Sequence, residues 1–331
     1  AGTNLTAAMR SRGDHYLRWA TAIDEAQRQP LATRPEPRPE PGLIPKSYSF
    51  SEAGKLRRDP YAIYARRILR LDPVDPFNAD PGPAERGTLY HAIIESFVGH
   101  RIDPGSDMAW TAMQELADRA FAEADLPAHI EATWRPRFDE TARAFLDWER
   151  KRQAGILQSW TEARAVMPLP GGFELTGYAD RIDLTRRGVA DVIDYKTGSS
   201  PSLKQARTLV DPQLALEAAA LQGGGFQGVG AREPGDLIYV RLRPGDRFDT
   251  ETVNGDPASS RAKTPPKTSS QLAEDAAREL VKLLTLLKSG KRGFLSRVLP
   301  ETAATAGDYD HLARVAEWAS GEDNDDGETD G

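Results

Sequence analysis

Cysteine does not occur anywhere in the 331 residues. Its absence excludes disulfides, zinc ribbons and thiolate-held iron–sulfur clusters together. It also fits a cytoplasmic protein, which is the compartment expected here. Long apolar runs are missing too, so neither a spanning helix nor a membrane partner is expected. The N-terminus lacks the charged-then-apolar pattern of a secretory signal. It also lacks an initiating Met, which points to a mature product or a piece of a longer polypeptide. No Gly-x-x-x-x-Gly-Lys-Ser/Thr phosphate loop is present, so no ATP site is expected in this chain. Basic charge is in deficit, with 43 Lys and Arg against 50 Asp and Glu, a formal net charge of −7. The six acids from Glu322 to Asp330 account for most of that, and without them the charge is −1. Net charge therefore neither supports nor excludes nucleic acid as a partner. The Arg57-Arg58, Arg66-Arg67 and Arg70 cluster is either a nucleic-acid track or a solvated helix face.

Hydrophobic residues make up 39% of the chain, enough to build one large domain or two modest ones. Residues 1–29 read as a helix trailing from a preceding domain, with Leu17, Ala20 and Ile23 spaced for one face. Six prolines between Pro30 and Pro45 make residues 30–46 an extended linker. Residues 47–320 form the main domain, and 321–331 an acidic, disordered tail. Within the main domain, the spacing predicts a helix over 48–70, capped by Ser49 or Ser51. A second runs from about Arg86 to Gly99 with Leu89, Ile93 and Phe97 on its buried face. Two more follow at about 106–125 and 137–154. After Gly155 the period changes from helical to alternating. Strands are predicted at 158–168, 173–184 and 188–196, joined by turns at Gly171-Gly172 and Arg186-Arg187-Gly188. A helix over 211–222, a strand over 236–242, a Pro/Asp/Ser/Thr-rich loop over 244–268 and helices over 269–289 and 308–319 complete the chain.

The chemistry concentrates in Gly177-Tyr178-Ala179-Asp180 and in Asp194-Tyr195-Lys196-Thr197-Gly198. Alternate residues of a strand share a face, so Asp194 and Lys196 point the same way and Tyr195 the opposite way. A short hairpin lays the Asp180 strand beside the Asp194 strand. Two carboxylates converging beside a lysine make a site for a hard cation such as Mg²⁺. Phosphodiester cleavage needs an activated water and stabilisation of developing negative charge, and Lys196 can serve either need. Asp183 and Asp191 have the wrong parity for this face, and Asp183 reads as a structural partner of Arg181 or of a nearby turn. Glu95 lies one turn beyond His91, either as its hydrogen-bond partner or as an ordinary helix carboxylate.

Asp180, the Asp194-Tyr195-Lys196 triplet and the helix–three strands–helix–strand order resemble the PD-(D/E)XK nuclease core. That implies an α/β fold of αβββαβ order, a mixed central sheet flanked by helices, with additional helices here. Arg86-Gly87-Thr88-Leu89-Tyr90-His91 and Gln213-Leu214 resemble its RecB-type branch. Arg58-Asp59-Pro60-Tyr61, Gln213-Leu214-Ala215-Leu216-Glu217 and Tyr309-Asp310-His311-Leu312 resemble the C-terminal nuclease domains of the AddB family, subunits of bacterial AddAB helicase–nucleases. The resemblance implies that His91, Asp180, Asp194 and the Tyr195 carbonyl are metal ligands. It further implies that Asp180, Asp194, Lys196 and Gln213 are catalytic, and that the ion is Mg²⁺, or alternatively Mn²⁺. Gln213 would position water or phosphate, or else cap its helix. Many AddB relatives carry a four-cysteine iron–sulfur cluster. Here Asp59 stands at the first cysteine position, and no such cluster can form.

The resemblance thus implies a Mg²⁺-dependent DNA nuclease that cuts a single strand of an unwound end during double-strand break processing. Its partners would be DNA and an AddA-type helicase–nuclease subunit. The competing readings are a non-cleaving nuclease-fold scaffold that binds DNA or AddA, and a stand-alone nuclease unrelated to recombination.

Overall fold

The structure is a computed structural model and describes residues 2–24, 32–73, 80–198, 200–255, 265–299 and 307–319. The chain divides into two compact units, one of Ala1–Pro35 with Asp310–Gly331 and one of Glu36–Tyr309. The smaller unit contains α1 (Gly2–Asp24), along which Leu5, Met9, Tyr16, Trp19 and Ile23 stand exposed. The last residues of the helix predicted to end at 29 lie outside the described residues, as does the acidic tail. Near the other end of this unit only Val315–Trp318 is helical. The Trp318 indole donates to the Ala313 carbonyl at 2.8 Å and lies under the Arg34 guanidinium.

The larger unit begins with β1 (Ser47–Ser49) and α2 (Phe50–Arg58). Ser49 caps α2 reciprocally: its hydroxyl accepts from the Glu52 amide at 3.0 Å, and its own amide donates to the Glu52 carboxylate at 2.9 Å. The single helix predicted over 48–70 is in fact broken. Pro60 lacks an N–H, so the chain restarts at α3 (Pro60–Ile63) and then widens to a π turn at Tyr64–Ile68. Three helices follow: α4 (Pro83–Gly99), α5 (Ala109–Glu123) and α6 (Ala128–Gln153). The last starts well before the predicted 137 and runs through Pro136. Trp134 and Phe138, buried on either side of that proline, hold the turn in place.

The sheet strands are β2 (Ile156–Leu169), β3 (Phe173–Thr185), β4 (Ala190–Lys196), β5 (Pro234–Arg241) and β6 (Asp249–Thr252). Between β4 and β5 lie α7 (Leu203–Arg207) and α8 (Gln213–Gln222), and α9 (Ser269–Lys288) closes the unit. β2 pairs antiparallel along the length of β3, turning at Gly171 and Gly172, both of positive φ. On its other side β3 takes β1 in parallel and then β4 antiparallel. β4 and β5 are parallel, joined through α8, and β6 returns antiparallel on the outer edge. β6 falls in the segment read from sequence as loop, part of which, 256–264, lies outside the described residues.

Two cores sandwich this mixed sheet. One packs α2, α8 and α9 against Val192, Leu237 and Tyr239. The other packs α4, α5 and α6 against Ile193, Tyr195, Ile238 and Val240. Phe97, Phe138 and Phe145 are fully buried in the second, each contributing about 1.5–3 kcal/mol. No helix among the described residues is long and apolar enough to cross a membrane.

Candidate active site

The hairpin register carries the site. Arg181 pairs with Ile193 and Ile182 with Val192, so one further step sets Asp180 opposite Asp194. The Asp180 carboxylate accepts the Tyr195 amide at 2.8 Å, which fixes the end of β4 against β3. Lys196 follows on the same face as Asp194, and its ammonium lies 2.9 Å from one carboxylate oxygen and 2.8 Å from the other. The second oxygen is approached off the hydrogen-bonding direction, so it has an ionic contact but no directed hydrogen bond. From one face of the sheet, α4 brings His91 to 3.7 Å from the Asp180 carboxylate. From the other, α8 brings Gln213, whose amide donates to Asp194 at 2.7 Å and to Glu217 at 3.1 Å. Gln213 is the first residue of α8 and makes no capping bond there. The structure therefore brings together His91, Asp180, Asp194, Tyr195, Lys196 and Gln213.

Above these residues opens a cleft of about 470 Å³, lined by His91, Lys196, Thr197, Glu95 and Glu162 among others. Burial pushes Asp194 up to about 7, with the charge of Asp180 adding to the effect and Lys196 opposing it. Burial likewise pushes Asp180 up to about 6, against the Tyr195 amide and Lys196, with Glu162 and Glu95 adding repulsion. Burial pulls Lys196 down, but Asp194 outweighs it and the ammonium is held charged. Burial lowers His91, so its ring is neutral at pH 7, the form that can donate a lone pair.

Two further acids belong to this site. Glu217 lies one turn beyond Gln213, is fully buried, and is held protonated by burial and by the neighbouring aspartates. Glu162 stands on β2 at the position facing Asp180, between the paired residues Thr161 and Ala163, with a left-handed φ of 44°. A β-strand residue held in that region is strained, and such strain gathers at functional sites. Glu162 could have been found by counting the β2–β3 register, and Glu217 by its spacing from Gln213.

Behind the sheet the parity argument runs the other way. Arg181 is buried and donates to Asp183 at 2.7 Å and, through both terminal nitrogens, to Glu149. Arg152 bridges Asp183 and Asp191. The Tyr195 ring packs edge-on to His91 and Phe145, and its hydroxyl accepts from Arg181 at 3.3 Å. Asp183 and Asp191 are thus structural partners. Of the basic cluster read at Arg57–Arg70, Arg58 is paired with Asp211 and Arg67 with Glu52.

The donor set fits a hard divalent cation. Among the described residues, Asp194 Oδ2, Glu217 Oε2 and the hydroxyl of Tyr239, the β5 partner of Asp194, are buried without a hydrogen bond. Crowded carboxyls of raised pKa beside a neutral imidazole are what a cation relieves. As they stand, no three acidic or histidine side chains among the described residues enclose an ion. Lys196 and Gln213 occupy the Asp194 oxygens, and Lys196 would have to swing aside.

A mixed sheet flanked by helices, with paired aspartates and a lysine at the end of a central strand, defines a nuclease-fold domain. The chain belongs to the PD-(D/E)XK nuclease superfamily, which residues 47–297 match. An uncharacterised protein of Rickettsia bellii is 24% identical over 187 residues, 56% of this chain and 22% of that protein. One of Rickettsia conorii is 25% identical over 190 residues, 55% of this chain and 23% of that protein. This chain therefore spans less than a quarter of the length of these relatives. The solved structure of SSO0001 aligns with 72% of this chain and 76% of its own, at 13% identity and a TM-score of 0.30.

Proposed function

We propose that this chain is a Mg²⁺- or Mn²⁺-dependent deoxyribonuclease acting on single-stranded DNA. The observation that carries the reading is the Asp180–Asp194 pair, Asp194 buried and Asp180 half-buried, beneath an open cleft, with Lys196 against one carboxylate and neutral His91 over the other. His91, Asp180, Asp194 and the Tyr195 carbonyl would hold the ion, which when bound supplies an activated water and charge neutralisation at the phosphate. Lys196 stabilises negative charge developing on the phosphate oxygens. Gln213 fixes the orientation of the Asp194 carboxylate through its 2.7 Å bond. Burial and the neighbouring aspartates raise Glu217 well above the usual carboxylate range, which disfavours a further negative charge here.

The wider role we propose is end processing within an AddAB-type helicase–nuclease, with the unwinding motor on a partner subunit. The reading is supported by Arg58–Tyr61, Gln213–Glu217 and Tyr309–Leu312, which resemble AddB nuclease domains. The test is digestion of single-stranded DNA in Mg²⁺ or Mn²⁺ by the wild type and by Asp194→Ala. Cleavage by the wild type and none by the variant is expected. DNA binding without cleavage in either metal would replace the reading with a non-cleaving scaffold.

A further inference from the structure

A second cavity, of about 210 Å³, adjoins the cleft and shares Thr197 with it. Four arginines from three segments surround it: Arg86 on α4, Arg137 on α6, and Arg243 and Arg247 just beyond β5. None of the four guanidiniums makes a hydrogen bond or ion pair among the described residues. The acids nearby make no ion pair with them among the described residues. Asp139, two residues from Arg137, accepts from Arg135 and Gln114. Glu140 and Asp246, beside the same loop, pair with none of the four. Six other arginines of this unit, Arg58, Arg67, Arg135, Arg152, Arg181 and Arg241, have carboxylate partners, but what sets these four apart is their convergence on one cavity.

Four like charges around one small cavity repel one another, so the arrangement favours an anion. The planar fork of a guanidinium matches phosphate oxygens two at a time. Tyr90 completes the wall, its buried hydroxyl donating to the Trp134 carbonyl at 2.7 Å and held neutral by burial. Position then narrows the anion. Thr197 follows Lys196 directly, so the cavity begins where the reacting cleft ends. A Cβ at Gly87 would lie 2.7 Å from the Thr197 hydroxyl, which shows how closely α4 meets the strand end. That approach puts Arg86 toward the cavity and His91, five residues on, toward the aspartates.

We propose that Arg86, Arg137, Arg243 and Arg247 form a second phosphate site, which takes a phosphate of the same nucleic-acid strand whose scissile bond lies at Lys196. The assignment rests on the nuclease reading of the cleft. The shared chemistry is a phosphate, either an internal phosphodiester or a terminal phosphomonoester.

The test measures binding, with the full chain and a labelled single-stranded oligonucleotide in EDTA, over a range of salt. Arg137→Gln and Arg247→Gln alter exposed side chains, and Arg232→Gln, before the start of β5 at its other end, is the charge-matched control. Each pocket variant is expected to weaken binding several-fold and to flatten the log–log salt dependence by about 0.7 per lost contact. The control leaves the slope as in the wild type. Oligonucleotides with and without terminal phosphates separate the two sources: arginine dependence lost with the terminal phosphate assigns an end, and dependence retained assigns an internal phosphate. Wild-type slopes in both variants, or losses matched by the control, overturn the site and leave an acidic protein segment as its occupant. Arginine-dependent binding without cleavage keeps the phosphate site and removes the nuclease reading. Cleavage with arginine-independent binding does the reverse.

Discussion

Replacing Asp194 with Asn removes a negative charge from a place that cannot solvate it. The Asp194 carboxyl is buried and raised from 3.8 to about 7. At about 1.4 kcal/mol for each tenfold change in an equilibrium constant, ionising it costs about 4 kcal/mol more in the folded than in the unfolded chain. Because the folded value lies above the unfolded one, the stabilisation belongs to the protonated form. It is complete below about pH 4 and disappears as pH rises through about 7. Metal-free wild type should therefore lose about 3 kcal/mol of stability between pH 5 and pH 8 through this group. Asp194→Asn keeps the side-chain shape and an acceptor for Gln213 but has no proton to lose. For a domain of this size, 3 kcal/mol corresponds to roughly 6–12 °C in Tm. Melting curves in EDTA at pH 5, 6.5 and 8 should show the two proteins diverging by that amount, with Asn the more stable at pH 8. Mg²⁺ at pH 8 should raise the wild-type Tm and leave the variant unchanged. Parallel pH dependence in EDTA would refute the reasoning, because Asp194 would then not hold the shifted proton.

Three other outcomes follow from the same geometry. Lys196→Ala should lower turnover by roughly 10²–10³-fold with Mn²⁺ affinity by calorimetry unchanged or raised, since the lysine no longer occupies the Asp194 oxygens; equal losses in both would make it a ligand-positioning residue. Glu217→Gln should unfold in urea at pH 7 within about 1 kcal/mol of wild type, since the buried carboxyl is already uncharged; a much larger loss would mean that it is ionised. Arg181→Ala should destabilise the domain by about 3–5 kcal/mol, because Glu149 is left buried without its cation and Asp183 keeps only Arg152; a near-neutral urea midpoint would show that the network relaxes.

The aspartate pair was legible because its determinants are local. Alternation along two strands and one short turn set Asp180 against Asp194, and a helix at 211–222 was needed only to deliver Gln213. What the pattern could not carry was long-range or strained. β1 is three residues long and pairs with a strand more than 120 residues away. Pro60 splits what periodicity presented as one helix. Glu162 sits opposite Asp180 by register, but its left-handed backbone is not signalled by the strand pattern. The four cavity arginines were invisible because each is unremarkable in its own segment. The cluster that was visible, Arg57–Arg70, spends two of its members on ion pairs.

Tyr195 touches both sides of the sheet at once. Its amide holds Asp180 and its ring packs edge-on to His91 on the cleft side, while its hydroxyl accepts from Arg181 behind. If the Tyr195 carbonyl holds an ion as proposed, metal preference is therefore not freely adjustable at this position. Even Tyr195→Phe, which spares the backbone, withdraws an acceptor from a buried cation 14 residues away in sequence. Retuning would start more safely on α4, where His91 makes no such commitment to the ionic network. The strand end behaves as an anchor point, and natural variation or laboratory selection should accumulate around it rather than at it.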